Sequence, residues 1–131
     1  MILVLDASAG IEIVLGRSKA QKLSALILAS EKVMSSELYK AETANALWKY
    51  IKLGFLKKDR GAELLSLAQD LVDEFIPIEW NNTESLNEAI RLDHSAYNML
   101  YLTLARRTGA CLVSVDKKLN ALAKQEDLET Y

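Results

Sequence analysis

Apolar positions open the chain in one unbroken run, Ile2, Leu3, Val4 and Leu5, which stops on Asp6. A short continuous run bounded by a polar residue predicts a strand buried on both faces. The spacing then changes to helical intervals, predicting helices over residues 7–15 and 19–31. "KVMSS" (32–36) predicts a second strand, and Ser36 is placed to cap the helix "ELYKAETANALWKYIKLG", which Gly54 ends. On that helix Leu38, Ala41, Ala44, Trp48 and Ile51 mark an apolar stripe, with Glu42, Asn45 and Lys49 as a polar stripe beside it.

Residues 58–74 predict another amphipathic helix, carrying Leu64, Leu65, Leu67, Ala68, Leu71 and Val72. "FIPIEW" (75–80) predicts a strand that must be short or at an edge, because Pro77 cannot donate to a ladder. Thr83 precedes a helix over 84–92. In "HSAYNMLYLTLARRTG" Ser95 is the expected N-cap and Gly109 the stop, and Tyr97, Leu100, Tyr101 and Leu104 define one apolar face. "CLVSV" is a strand, residues 117–124 a last short helix, and "LETY" a candidate edge strand. Strands separated by helices imply parallel crossovers. The expected fold is a single α/β domain over residues 1–131, a three-layer α/β/α sandwich around a parallel four- or five-stranded sheet.

Composition narrows the classes. Half of the 131 residues are hydrophobic, enough for a substantial core, and a net charge of −2 excludes a broadly basic nucleic-acid coat but not a local basic patch. The lone Cys111, inside "ACLVSV", excludes an internal disulfide and reads as a core thiol. No apolar run approaches the roughly 20 residues of a membrane span. The N-terminus lacks a basic segment, and Asp6 and Glu12 interrupt its apolar stretch, so no signal peptide is expected and the protein reads as cytoplasmic. The single histidine, His94, reads as a surface or capping residue.

Candidate chemistry gathers where strands end. Asp6 follows the first strand and Asp116 follows "CLVSV" in the same way, so two parallel strands deliver two carboxylates to the carboxyl edge of the sheet, where open α/β folds bind ligands. Each also has a plainer reading as the N-cap of the next helix. Glu42 borders the buried face of its helix, or else is simply solvated. Asn98 lies on a largely apolar helix and needs a hydrogen-bond partner, structural or functional, since an unsatisfied buried amide costs about 1–3 kcal/mol. Carboxylates without His or Cys favour a hard cation, Mg²⁺ or Mn²⁺, and phosphate-ester hydrolysis by a metal-activated water. A nucleotide-binding reading of the flavodoxin type lacks a glycine-rich phosphate loop.

"VLDASA", "ELYKAETANALWK" and "HSAYNMLYLTLARRTGACLVSVDKKL", in that order and spacing, resemble the PIN domains, and within them the VapC-type toxins of toxin–antitoxin pairs, over essentially the whole chain. The resemblance implies a divalent-metal endoribonuclease in which Asp6, Glu42 and Asp116 match the first, second and fourth acids, Ser8 a small hydroxyl residue beside the first, and Ser114 a similar lining position. Asn98 departs from the pattern by standing where the third acid is expected, which removes one negative charge; Asp93, five residues upstream, is the candidate to compensate. Lys49 and Lys117 are candidate phosphate contacts. The resemblance further implies an RNA substrate, a homodimer and a cognate antitoxin, for which apolar residues such as Leu23, Leu26, Ile27, Leu47 and Tyr50 offer a surface. The alternative is a PIN-fold binding module weakened as a catalyst by Asn98.

Overall fold

The computed structural model describes residues 1–131. Four strands, β1 (Ile2–Leu5), β2 (Lys32–Ser36), β3 (Glu74–Ile76) and β4 (Cys111–Val113), form one sheet in the order β3-β2-β1-β4. All three pairings are parallel, with Leu3 opposite both Val33 and Cys111. β1 is central, and Leu3, Val4 and Leu5 have no exposed surface, as expected of a strand covered on both faces. From β1 the chain passes to β2 on one side and finally to β4 on the other. The strand order therefore reverses at β1, and the crevice between the carboxyl ends of β1 and β4 is a topological switch point.

Seven helices cover the sheet: α1 (Ala7–Val14), α2 (Ala20–Ala29), α3 (Leu38–Lys52), α4 (Gly61–Asp70), α5 (Asn82–Leu92), α6 (Ala96–Thr108) and α7 (Lys117–Gln125). α1 packs on α2, α3 and α4, while α6 packs on the sheet, on α5 and on α7. Every residue of α6 from Met99 to Ala105 is buried. Its buried threonine hydroxyl, Thr103, is satisfied by the Met99 carbonyl at 2.7 Å and by the Asn81 amide at 2.8 Å. Ser95 caps α6, and Gly109 ends it with φ 66°, the left-handed conformation that glycine adopts without a Cβ penalty. Gly10 serves a different purpose. A Cβ there would stand 2.2 Å from the Tyr39 hydroxyl, so α1 can lie against α3 only because that position is bare.

Several expectations change. α3 buries Tyr39, Thr43 and Leu47, not the row through Ala41 and Trp48; Trp48 is 52% exposed. The Thr43 hydroxyl bonds the Tyr39 carbonyl of its own helix at 2.6 Å, so its burial leaves no donor unsatisfied. Tyr97, read as core, is 64% exposed. The expected helix over 58–74 begins with a 3₁₀ turn at Lys58–Arg60 and is α-helical only from Gly61 to Asp70. The "FIPIEW" strand ends at Ile76, because Pro77 stops the ladder and Ile78–Trp80 turn into a 3₁₀ segment. "LETY" contributes a single bridge, Leu112 to Thr130, and the sheet has four strands.

Candidate active site

A cleft of about 450 Å³ opens at the switch point, and Asp6, Ser8, Glu42, Lys49, Asn98 and Asp116 all line it. Asp6 arrives at the end of β1 and caps α1: its Oδ1 accepts from the Ala9 amide at 2.9 Å and the Ser8 hydroxyl at 2.7 Å. The Ser114 hydroxyl donates to its Oδ2 at 2.5 Å. Asp116 arrives after β4 and caps α7 through the Lys118 and Leu119 amides, at 2.9 and 3.1 Å. Both aspartates are therefore N-caps, and both face the same cleft. The two readings are compatible, because a helix that starts at the sheet edge puts its cap there.

Serines tie the two strand ends together. The Ser8 hydroxyl accepts from the Val115 amide at 3.1 Å, and the Ser114 hydroxyl accepts from the Asp116 amide at 3.0 Å. α3 supplies Glu42, whose Oε1 accepts from the Tyr101 hydroxyl of α6 at 2.6 Å. Asn98, one turn before Tyr101 on α6, directs its amide nitrogen to Asp116 Oδ2 at 3.4 Å and to His94 Nε2 at 2.9 Å.

The carboxylates are poorly compensated. None of Asp6, Glu42 or Asp116 forms an ion pair. Burial pushes the Asp6 carboxyl up to about 6, against the hydrogen bonds from Ser114, Ala9 and Ser8, and the Glu42 charge adds to the rise. Burial also raises Glu42, partly offset by Tyr101. The Tyr101 hydroxyl is raised in turn, by burial first and then by the Glu42 charge, so it stays protonated as a donor.

A fourth carboxylate in the cleft, Glu12, is answered within the chain: Arg17 Nε lies 3.2 Å from its Oε1, and the Lys19 amide donates to its Oε2 at 3.0 Å. Arg17 also lines the cleft and donates to the Tyr50 hydroxyl at 2.6 Å. Glu12, Arg17 and Tyr101 did not emerge as site residues from the sequence. Glu12 carried a signal, a lone acid among the apolar residues of "AGIEIV"; Tyr101 carried one in its hydroxyl, which needs a partner wherever the ring is buried.

Three candidates do not line the cleft. Lys117 is exposed at the first turn of α7, and Asp93 is an exposed residue in the left-handed conformation, φ 52°, that ends α5. Ser114 does not face the cleft directly but holds Asp6 from behind. No three His, Cys, Asp or Glu side chains stand close enough to hold one metal ion among them.

The model of the PIN domain matches residues 3–125. A ribonuclease named VapC3 from Pyrobaculum aerophilum is 27% identical over 124 residues, 91% of this chain and 92% of the relative. Among solved structures, PAE2754 from Pyrobaculum aerophilum superposes with a TM-score of 0.74 at 23% identity, over 99% of this chain and 89% of that one. VapBC2 from Rickettsia felis, bound to a DNA fragment of its promoter, gives 0.71 at 15% identity, over 100% and 98%.

Proposed function

The chain belongs to the PIN domain family, and from that membership and the chemistry of the cleft we propose that it is a divalent-metal-dependent endoribonuclease, the toxin of a toxin–antitoxin pair. The observation that carries this reading is the set of three carboxylates, Asp6, Glu42 and Asp116, that share one cleft without a cationic partner. Asp6 and Glu42 are held above the ordinary carboxylate range, chiefly because burial disfavours their charged forms, and a cation in the cleft would favour those forms. All donors are oxygen, which suits Mg²⁺ or Mn²⁺. The residues fit such an ion in charge and in chemistry. No three of these side chains stand close enough together to hold one ion as the chain is arranged.

Asp6, Glu42 and Asp116 would hold the ion, which supplies an ionised water and offsets phosphate charge when bound. The chain's own residues do the rest. Ser8, Ser114 and the Ala9 amide fix the direction of the Asp6 carboxylate. The Tyr101 hydroxyl fixes one oxygen of Glu42 and leaves the other unbonded by protein. The α7 amides fix Asp116. Asn98 donates to Asp116 where an acid would have repelled it, and its neutral amide can orient a ligand but cannot take a proton at neutral pH. Lys49 lines the cleft without an ion pair and is the candidate to meet a substrate phosphate; Lys117 and Asp93 stand outside and are candidates for neither direct contact nor ligation in this arrangement. The relative named as a ribonuclease supports RNA as substrate, and the likeness to a VapBC complex supports an antitoxin partner. A homodimer and a cytoplasmic location belong to the same reading.

The second reading, a PIN-fold binding module, draws on Asn98 and on the absence of a preformed three-acid cluster. Cleavage of single-stranded RNA with Mn²⁺ separates the two. The ribonuclease reading expects cleavage by the chain, a gain with Asn98→Asp, and loss of at least 100-fold with Asp6→Asn. Cleavage by Asn98→Asp alone supports the module, and cleavage that survives Asp6→Asn contradicts the site.

A further inference from the structure

A second, smaller hollow lies beside the acidic cleft and has the opposite charge. Its volume is about 210 Å³, and it is lined by Lys19, Lys22, Leu23, Ser114, Val115, Asn120 and Tyr131. Val115 is a wall of both hollows, so they are neighbours across a single residue at the end of β4. The loop between α1 and α2 joins them as well. Arg17 faces the acidic cleft, Lys19 faces the second hollow, and the Lys19 amide is held by Glu12 at 3.0 Å.

No carboxylate side chain lines the second hollow, and neither Lys19 nor Lys22 forms an ion pair, although both are exposed. This contrasts with Arg91, Arg106 and Arg107, each tied to glutamates of α5 or to Glu126. An aromatic ring stands at the same place. Tyr131 is fixed by its amide on the Leu112 carbonyl at 3.1 Å, carries the Lys22 ammonium 5.4 Å from its ring centre, and remains 44% exposed.

An independent feature points to a ligand. The Asn120 amide nitrogen donates to the Ser114 carbonyl at 2.8 Å, yet its Oδ1, shielded from solvent, has no hydrogen-bond partner, alone among the buried side-chain polar atoms of the molecule. A shielded acceptor without a donor is unusual in a folded chain. A slight outward turn of the Asn120 side chain would present this acceptor to a hydroxyl or amino group of a ligand in the hollow. Two lysines without an ion pair, one of them beside the aromatic ring, and an unfilled acceptor match the parts of one nucleotide: phosphate, base, and a 2′-hydroxyl or exocyclic amine.

We propose that this hollow is a flanking-nucleotide subsite, in which Lys19 and Lys22 hold the phosphate next to the scissile one, Tyr131 stacks on the base and Asn120 accepts from the sugar or base. The inference rests on the ribonuclease reading and adds a strand path to it. The RNA crosses Val115 from the acidic cleft, where the metal offsets the scissile phosphate, to a basic hollow, where the chain itself offsets the next one. This gives the protein its phosphate contacts without a basic overall charge.

The test uses the full-length chain and a fluorescently labelled single-stranded RNA of about 20 nucleotides and randomised sequence. Binding is read by anisotropy over a salt series, and cleavage with Mn²⁺ is read in parallel. K19A/K22A is expected to weaken binding about tenfold and to lower the salt slope by about one, as for loss of one or two phosphate contacts to a single strand. In cleavage KM rises while kcat holds. Tyr131→Ala is expected to weaken binding about tenfold with the salt slope unchanged, since stacking carries no counterions. K57A/K58A, which removes two lysines from the 3₁₀ turn before α4, leaves all values unchanged and controls for net charge. Thermal melts confirm that the alanine variants fold. Wild-type binding or cleavage with K19A/K22A no weaker than K57A/K58A overturns the subsite and leaves the ribonuclease reading standing. A wild-type chain that neither binds nor cuts this RNA overturns both.

Discussion

At the scale of single residues the molecule carries its strain at Asp6. A carboxyl with 3% exposure and no cation beside it resists ionisation, and burial pushes it up to about 6. The sign of the consequence is fixed. The folded state holds the proton more tightly than the unfolded chain, whose Asp titrates near 4, so the Asp6 contribution is most favourable below about pH 4 and is lost as pH rises through 6. Two pK units correspond to about 3 kcal/mol. Glu42 contributes in the same direction. Glu88 runs the other way: its contacts with Arg91 hold it down to about 2, so its contribution is lost only as pH falls below the ordinary Glu range. Between pH 4.5 and 8 the cleft acids therefore dominate. Metal-free Asp6→Asn should melt several degrees above wild type at pH 8 and lose most of that advantage at pH 4.5, while losing cleavage. Melting curves of both proteins at the two pH values check this, and a variant less stable than wild type at pH 8 would contradict it.

At the scale of elements, geometry depends on close approaches that a linear pattern only partly reveals. Tyr39 packs against Gly10 on one side and donates its hydroxyl to the Ala68 carbonyl at 2.6 Å, so it locks α1, α3 and α4 together. Gly10→Ala should cost about 1–3 kcal/mol through overpacking, and more if the Tyr39 bond breaks. Chemical denaturation measures it, and an unchanged midpoint would mean that α1 can shift freely. β1 and the N-caps Asp6, Ser95 and Asp116 were legible because a continuous apolar run and a capping residue are local signals. The buried row of α3 was not. Thr43 looks polar until its hydroxyl is seen to bond its own helix, and Trp48 looks apolar although it lies on the surface, where Lys52 Nζ sits 5.0 Å from its ring. The length of β3 depended on Pro77, whose effect the sequence did indicate, but the turn after it depended on packing.

At the scale of the whole molecule, topology makes the cleft. Reversal of strand order at β1 sets Asp6 beside Asp116, and α3 and α6 bring Glu42 and Asn98 to the same opening. The strand-end acids were readable from two similar runs; the Tyr101 contact to Glu42 and the Glu12–Arg17 pair join residues whose pairing depends on helix rotation, and emerge only in the folded chain. The central claim is that this concentrated negative charge exists to hold a divalent ion. A crystal soaked in Mn²⁺ and measured at an anomalous wavelength tests it most directly. The account predicts a peak in the cleft, with the carboxylates of Asp6 and Asp116 drawn to ligating distance, roughly 2.0–2.3 Å, and Glu42 facing it directly or through water. Clear Mn²⁺ peaks elsewhere on the protein with none in the cleft would contradict it.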